Sequence, residues 1–338
     1  MNKIIRFLLT IAVSSALFAC SSTSEVPEGD RLYTGLEPIK YTDYESNEHF
    51  TATQEEIEAA LDCPPNGAIF GSSYYRSPFP YSLWIWNAFH ESESPIGKWV
   101  TKTFGNQPVL MSWVNPALRA SVAQSQLRNH GYFRGTVNYE EKPYSKHPKA
   151  KIAYHVDCGH LFTIDTVTYS NFPLNADSLI AASADEAKIK SGSPFDVVSL
   201  DAERNRLSNL FRNNGYYYYQ PSYASYRADT VNTPGKVKLD VELADNLPEK
   251  ALKKWYIGNI SINLRRTFME ELKDSIHYYF FHAYFNGKKP PVRPRVIMSD
   301  MKLRHGQPYD YSKHTESNNR IASKGMFSSV DFQFTPRD

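Results

Sequence analysis

After its first 18 residues the sequence has no run of 18 apolar residues, so no later segment is long enough to cross a bilayer as a helix. It also lacks a dominant charge. The 38 basic and 36 acidic residues leave a formal net charge of +2, which creates no field to gather nucleic acid. Cysteine is scarce, with three in 338 residues, and no CxxC, HExxH, GxSxG or Walker-type loop occurs. The ten histidines are scattered. His277 and His282 stand five apart, a spacing that does not align two ligands on a helix face, so packing or exposure is expected rather than metal. Asp165, Asp177 and Asp185 read as turn, cap and surface residues. No enzyme, cofactor or metal centre is expected.

A processed N-terminus is present instead. Lys3 and Arg6 precede an apolar stretch from Phe7 to Phe18, followed by "LFAC". This is the pattern of a cleaved signal peptide over 1–19 ending in a bacterial lipobox, with Cys20 as the lipidated first residue and 20–31 as a linker. The chain is then held to a membrane through its lipid. Removing the first 19 of 338 residues leaves 319, enough for two or three domains. Cys63 and Cys158 remain as thiols, and in an oxidising periplasm they form either a disulfide or two buried free thiols.

Aromatic residues make up 14% of the sequence, with 23 tyrosines, which suits strands and binding surfaces. Self-comparison is more informative. "KIKSGSPFD" at Lys188–Asp196 matches "KLRHGQPYD" at Lys302–Asp310, and "GNQPVL" from Gly105 is a looser third copy. Each precedes a helical stretch and then a glycine leading into an apolar or aromatic segment, at Gly131, Gly215 and Gly325. One supersecondary unit is therefore written three times.

The second copy shows the physics. Asp177 to Lys190 is helix-forming until Gly192 and Pro194 turn the chain. In the next helix Leu200, Leu207 and Phe211 share a face. Gly215 occupies a C-cap position, and a tyrosine-rich strand follows. In "KVKLDVEL" Val237, Leu239, Val241 and Leu243 alternate with polar residues, as a strand with one buried face requires. "LFTIDTVTYS" is the strand in front. The order strand, helix, helix, strand, strand makes a small α+β domain with two helices on one side of a sheet.

In the first copy, Thr53 and Glu56 form a capping-box pattern opening a short helix. A second helix carries Leu118, Val122 and Leu127, and Ile152, Tyr154 and Val156 alternate in a closing strand. Between the helices lies a long aromatic insertion, 64–106, with Trp84, Trp86 and Trp99. The third copy starts near "KKWYIGNISIN", passes through an irregular excursion and reaches "VDFQFTPRD". Gly215 to Leu243 spans 28 residues and two strands, whereas 13 residues separate Gly325 from Asp338. By this count the third unit lacks its last strand and the chain is expected to be the front part of a longer protein.

The unit resembles a POTRA domain. From the lipobox onward, the chain resembles the N-terminal region of TamL proteins, the lipidated Bacteroidetes branch of the outer-membrane assembly superfamily that includes BamA and TamA. Cys20, "LWIWN", "FGNQPVLMSWVNPALRASVAQSQLRNHGYF" and "GQPYDYSKHTESNNRIASKGMFSSVDFQF" carry the likeness. It implies three tandem POTRA-like β-α-α-β-β domains at 32–157, 158–246 and 254–338, the third truncated and without the barrel that ends such proteins. It also implies a lipid-anchored periplasmic scaffold at the outer membrane, whose partners are nascent outer-membrane proteins or an elongated TamB-like periplasmic protein. Such sheets bind extended chains by strand addition.

Pro221 cannot donate to a ladder, so the strand from Tyr216 to Tyr226 is expected at an edge, presenting Tyr216, Tyr218, Tyr223 and Tyr226, with "KVKLDVEL" in the middle. Along it the rings of Tyr216–Tyr219 would point alternately into the core and outward. The competing expectation is a surface lipoprotein that binds glycans through Trp84, Trp86 and Trp99. The threefold unit favours the scaffold, because glycan binding does not explain it.

Overall fold

Short alternating segments punctuated by glycine, proline and helix caps build three small sheets. The computed structural model describes residues 21–337; residues 1–20, where the signal peptide and lipidated Cys20 are expected, lie outside the described residues. The fold is α+β, and among the described residues no sheet closes into a barrel. No described helix is long and apolar enough to cross a membrane. The residues form two compact units: 21–163 with Pro194–Asp196, and Ile164–Ser193 with 197–337.

In the first unit β1 (Leu32–Leu36) and β2 (Lys40–Thr42) lead to α1 (Glu48–Leu61). Next come α2 (Tyr81–Phe89), α3 (Pro95–Phe104), the one-turn α4 (Met111–Val114) and α5 (Pro116–Asn129). The hairpin of β3 (Thr136–Pro143) and β4 (Lys149–Asp157) completes the sheet. β4 is central. β1 and β2 run parallel along one edge, from Leu32↔Lys149 to Thr42↔Asp157, and β3 is antiparallel on the other. Ile152, Tyr154 and Val156 are buried with Ile57, Leu61, Ala123 and Leu127 from the helices.

Two expectations need correction here. The Asn47 side chain accepts the Phe50 N–H at 2.8 Å and caps α1 six residues before Thr53, whose hydroxyl donates back to the His49 carbonyl inside the helix. A stronger cap further upstream overrides the capping-box pattern. On α5 the buried face is Ala120, Ala123 and Leu127, and Leu118 and Val122 are exposed. Small alanines let α5 pack closely on α1, so the bulky residues face out.

The second unit contains β5 (Thr163–Ser170) from Ile164 onward, then α6 (Leu174–Ala182) and α7 (Val197–Asn213). β6 (Ala224–Asp229) and β7 (Lys236–Leu243) follow, in the sheet order β5-β7-β6. Leu200, Leu207 and Phe211 of α7 are buried with Val237, Leu239 and Val241 of β7, as their periodicities require. After it come β8 (Ile260–Asn263), β9 (Asp274–His277), β10 (Phe281–Phe285), α8 (Pro294–Asp300) and α9 (Tyr311–Ser323). The segment read as an irregular excursion thus contains a hairpin. Its β10 lies parallel to β8 and antiparallel to β9. Conversely, 326–337 forms no strand, although Phe327, Val330, Phe332 and Phe334 pack on the core beside it.

The repeat is visible in the backbone. In each copy the glycine–proline segment, or the residues just after it, bridges back to the first strand or the residues just before it, as Leu32↔Leu110, Thr163↔Pro194 and Tyr256↔Pro308. Gly131, Gly215 and Gly325, which end the helices, have φ of +86°, +102° and +65°, the left-handed region that glycine occupies without steric cost.

Candidate strand-docking site

β6 stands at an edge because β7 takes the central place. The two pair antiparallel from Ala224↔Leu243 to Asp229↔Lys238. The Tyr223 carbonyl accepts the Ala244 N–H at 2.9 Å, which fixes the phase. Because backbone groups alternate sides along a strand, Ser225 and Arg227 face β7, and Ala224, Tyr226 and Ala228 face outward. Ala224 is already engaged at both ends, its N–H on the Pro221 carbonyl and its carbonyl on Arg204 Nε at 3.0 Å. The open edge is therefore the main chain of Tyr226 and Ala228. It is stiffened from behind: the Tyr226 hydroxyl donates to the Leu200 carbonyl at 2.6 Å, and the Arg204 guanidinium sits over its ring at 4.8 Å. Burial, and then the Glu203 charge, push the Tyr226 phenol up, so it stays a donor.

The tyrosine run does not belong to this strand. Residues 216–219 form turns after Gly215, and Pro221–Tyr223 is a short 3-10 turn. Gly215 starts a compact reversal and the chain becomes extended only at Ala224. Tyr216 and Tyr219 are buried against Phe211, with ring centroids at 5.7 and 4.6 Å. Tyr217 meets Tyr309 at 4.8 Å, and Tyr218 meets Trp255 at 5.2 Å. The run thus joins the second repeat to the third. Tyr223 is half-buried with its N–H on the Gln220 carbonyl, and of the four predicted docking tyrosines only Tyr226 lies on the edge strand.

A second place for a strand lies in the third sheet. β8 pairs with β10 on one side only. On its other side a groove of about 550 Å³ runs between residues 256–264 and 329–337, floored by Ile297, Met301, Leu303 and Ile321. In the second sheet the same place, between the first strand and the segment after the capping glycine, is filled by β7. Since Leu264 N–H is bound to the Tyr284 carbonyl, the alternation turns the main chain of Ser261 and Asn263 toward the groove.

The other predicted residues are dispersed. Trp84 packs edge-on to Tyr81, with its indole N–H buried and unpartnered, and Trp86 stacks on His90 at 4.0 Å. Trp99 alone of the three is exposed. Cys63 and Cys158 are free thiols. Burial pushes both up, Cys158 to about 12. His277 and His282 do meet, which corrects the helix-based reading: they are cross-strand partners in the β9–β10 hairpin with their Nδ1 atoms in hydrogen-bond contact. Among the described residues no third ligand-type group joins them. One further cluster matches no sequence motif: buried His130 lies 3.1 Å from Glu56 and 3.7 Å from Asp196, with His49 on its carbonyl.

No protein-family model matches the chain, and no curated protein matches it. Among solved structures it is similar to POTRA domains 3–5 of Haemophilus influenzae BamA, at 10% identity over 93% of this chain and 94% of that one, with a TM-score of 0.40. It is also similar to POTRA domains 1–3 of Omp85 from Anabaena, at 10% identity over 92% and 91%, TM-score 0.30. CdiB from Escherichia coli matches at 8% identity over 67% of this chain and 29% of that one, TM-score 0.23.

Proposed function

We propose that this chain is a periplasmic, non-catalytic scaffold of the TamL kind that binds extended segments of nascent outer-membrane proteins, or of a TamB-like periplasmic protein, by strand addition. Acylated Cys20 holds it to the outer membrane. The observation that carries the reading is the edge of β6, where the Tyr226 and Ala228 backbone groups point away from β7. Unsatisfied main-chain donors and acceptors at a rigid edge bind any extended chain with little regard to its side chains, which suits a protein that must handle many substrates.

Ala228→Pro tests it. The substitution deletes an outward N–H and no ladder bond, so the melting temperature should hold while cross-linking to an unfolded barrel protein falls. Undiminished cross-linking in a folded variant would move binding away from β6. The alternative, a surface glycan binder, rests on exposed Trp99. External protease on intact cells separates the two, because it would cut a surface protein and spare a periplasmic one.

A further inference from the structure

The aromatic insertion folds into a helical hairpin, α2 packed on α3, and leaves large apolar groups in solvent. Phe70 stands fully exposed at a turn tip, and on α3 Ile96 is 75% and Trp99 59% exposed. Ile96 and Trp99 are three residues apart and share a face, while Lys98 and Lys102 are exposed on the same helix. Exposed apolar and aromatic groups on a short helix that also carries exposed lysines is the composition of a segment lying at a membrane interface.

The position of the hairpin identifies what covers it. The 3-10 turn Ser21–Thr23 packs against α2, Ser22 is buried there, and Glu25 lies 3.4 Å from His90 just past the end of α2. Cys20 is bonded directly to Ser21, and consecutive Cα atoms are about 3.8 Å apart. A lipid on Cys20 is therefore attached one residue before the turn that packs on α2. We infer that the hairpin of α2 and α3 with the Phe70 turn is a membrane-interface surface that seats on the phospholipid headgroups beside the acylated cysteine. The inference rests on the lipobox reading for its placement, since an anchor there holds this face, and no distant one, against the bilayer. Acyl chain and aromatic face then act as two membrane signals on one short lever.

The test uses the mature chain from residue 20 with Cys20→Ser, which carries no lipid, and vesicles of phosphatidylethanolamine and phosphatidylglycerol. The chain should float with the vesicles, and brominated acyl chains should quench its tryptophan fluorescence. Phe70→Ser, Ile96→Ser and Trp99→Ser together should lower vesicle partitioning by at least about tenfold, given the transfer free energies of three such side chains. Absence of flotation or of quenching in the parent overturns the inference without reference to any variant. Flotation of the triple variant equal to the parent also overturns it. So does a triple variant that loses cross-linking to a protein while vesicle binding is unchanged, which would make the hairpin a protein interface. Fatty-acid probe labelling of the wild-type chain in cells, absent in Cys20→Ser, reports on the anchor alone. An acylated protein whose unacylated form ignores vesicles keeps the anchor and loses the interface.

Discussion

The fully buried carboxylate of Glu203 accepts the backbone N–H of Lys188 at 2.8 Å. One repeat later the Ser317 hydroxyl accepts the N–H of Lys302, also at 2.8 Å and across the same 15 residues. The seventh residue of the second helix thus satisfies the same loop donor in both copies. Glu203 does more: it is paired with Arg206 through two oxygens and accepts the Tyr169 hydroxyl at 2.7 Å. Glu203→Ala should therefore destabilise by about 3–5 kcal/mol, because it strands a buried guanidinium. Ser317→Ala should cost about 1–3 kcal/mol, the penalty of one unsatisfied buried donor. Leu207→Ala, on the same helix as Glu203 and fully buried, should cost about 2–5 kcal/mol. Urea denaturation of the three variants measures the order.

The Glu203 network also sets a pH dependence. Burial alone would raise the carboxyl, but the hydrogen bonds from Arg206, the Lys188 N–H and Tyr169 outweigh it and hold the group below its ordinary value. A carboxyl depressed in the folded state contributes stability that is fully present above its unfolded pKa of about 4.3 and is lost as pH falls through the folded value. Stability should therefore drop on acidification below that unfolded value, and Glu203→Gln should flatten the drop while lowering the neutral plateau. Equal pH slopes in the two proteins would show that other carboxylates carry the acid transition.

Free thiols are a separate expectation. Cys158 is fully buried in the core beside Tyr132 and Val156, and Cys63 packs on the edge of the same core with its N–H on Ser73 at 2.7 Å. With its thiol pushed to about 12, Cys158 holds almost no thiolate at neutral pH and should resist alkylation until the protein unfolds. Denaturation without reductant should release both as titratable thiols. A mass two hydrogens lighter would instead reveal a bridge.

The repeat, its two-helix layout, the central place of "KVKLDVEL" and the buried face of α7 were legible because each has a local cause: a glycine that must adopt positive φ, a period of two, a period near 3.6. What escaped the sequence was decided by tertiary context. Pro221 correctly pointed to an edge, but the reversal at Gly215 moved the start of β6 to Ala224 and converted Tyr216–Tyr219 from strand faces into packing against Phe211 and the third repeat. Leu118 and Val122 had helical spacing, yet the face that fits α1 is the alanine face. His277 and His282 do not align on a helix, yet they meet across a hairpin. Trp84, Trp86 and Trp99 share a composition but no common platform.

The groove beside β8 gives the last prediction. Its walls are the open side of β8 and the strandless segment 329–337, and its floor is apolar. A strand entering it finds the Ser261 and Asn263 backbone groups on one side and a place to bury every second side chain below. The sequence fitted to that position in the second sheet is Lys236–Leu243, whose Val237, Leu239 and Val241 point into the core. A synthetic peptide of that alternating pattern should slow amide exchange at Ser261 and Asn263. Exchange at Ile260 and Ile262, whose groups already face β10, should change little. A scrambled peptide that groups its apolar residues at one end should protect neither pair, since the pleat then directs apolar and polar groups to the wrong faces. Equal protection by both peptides would mean that they stick to the apolar floor without joining the sheet. Protection at Tyr226 and Ala228 with none at Ser261 and Asn263 would place strand addition at β6 alone.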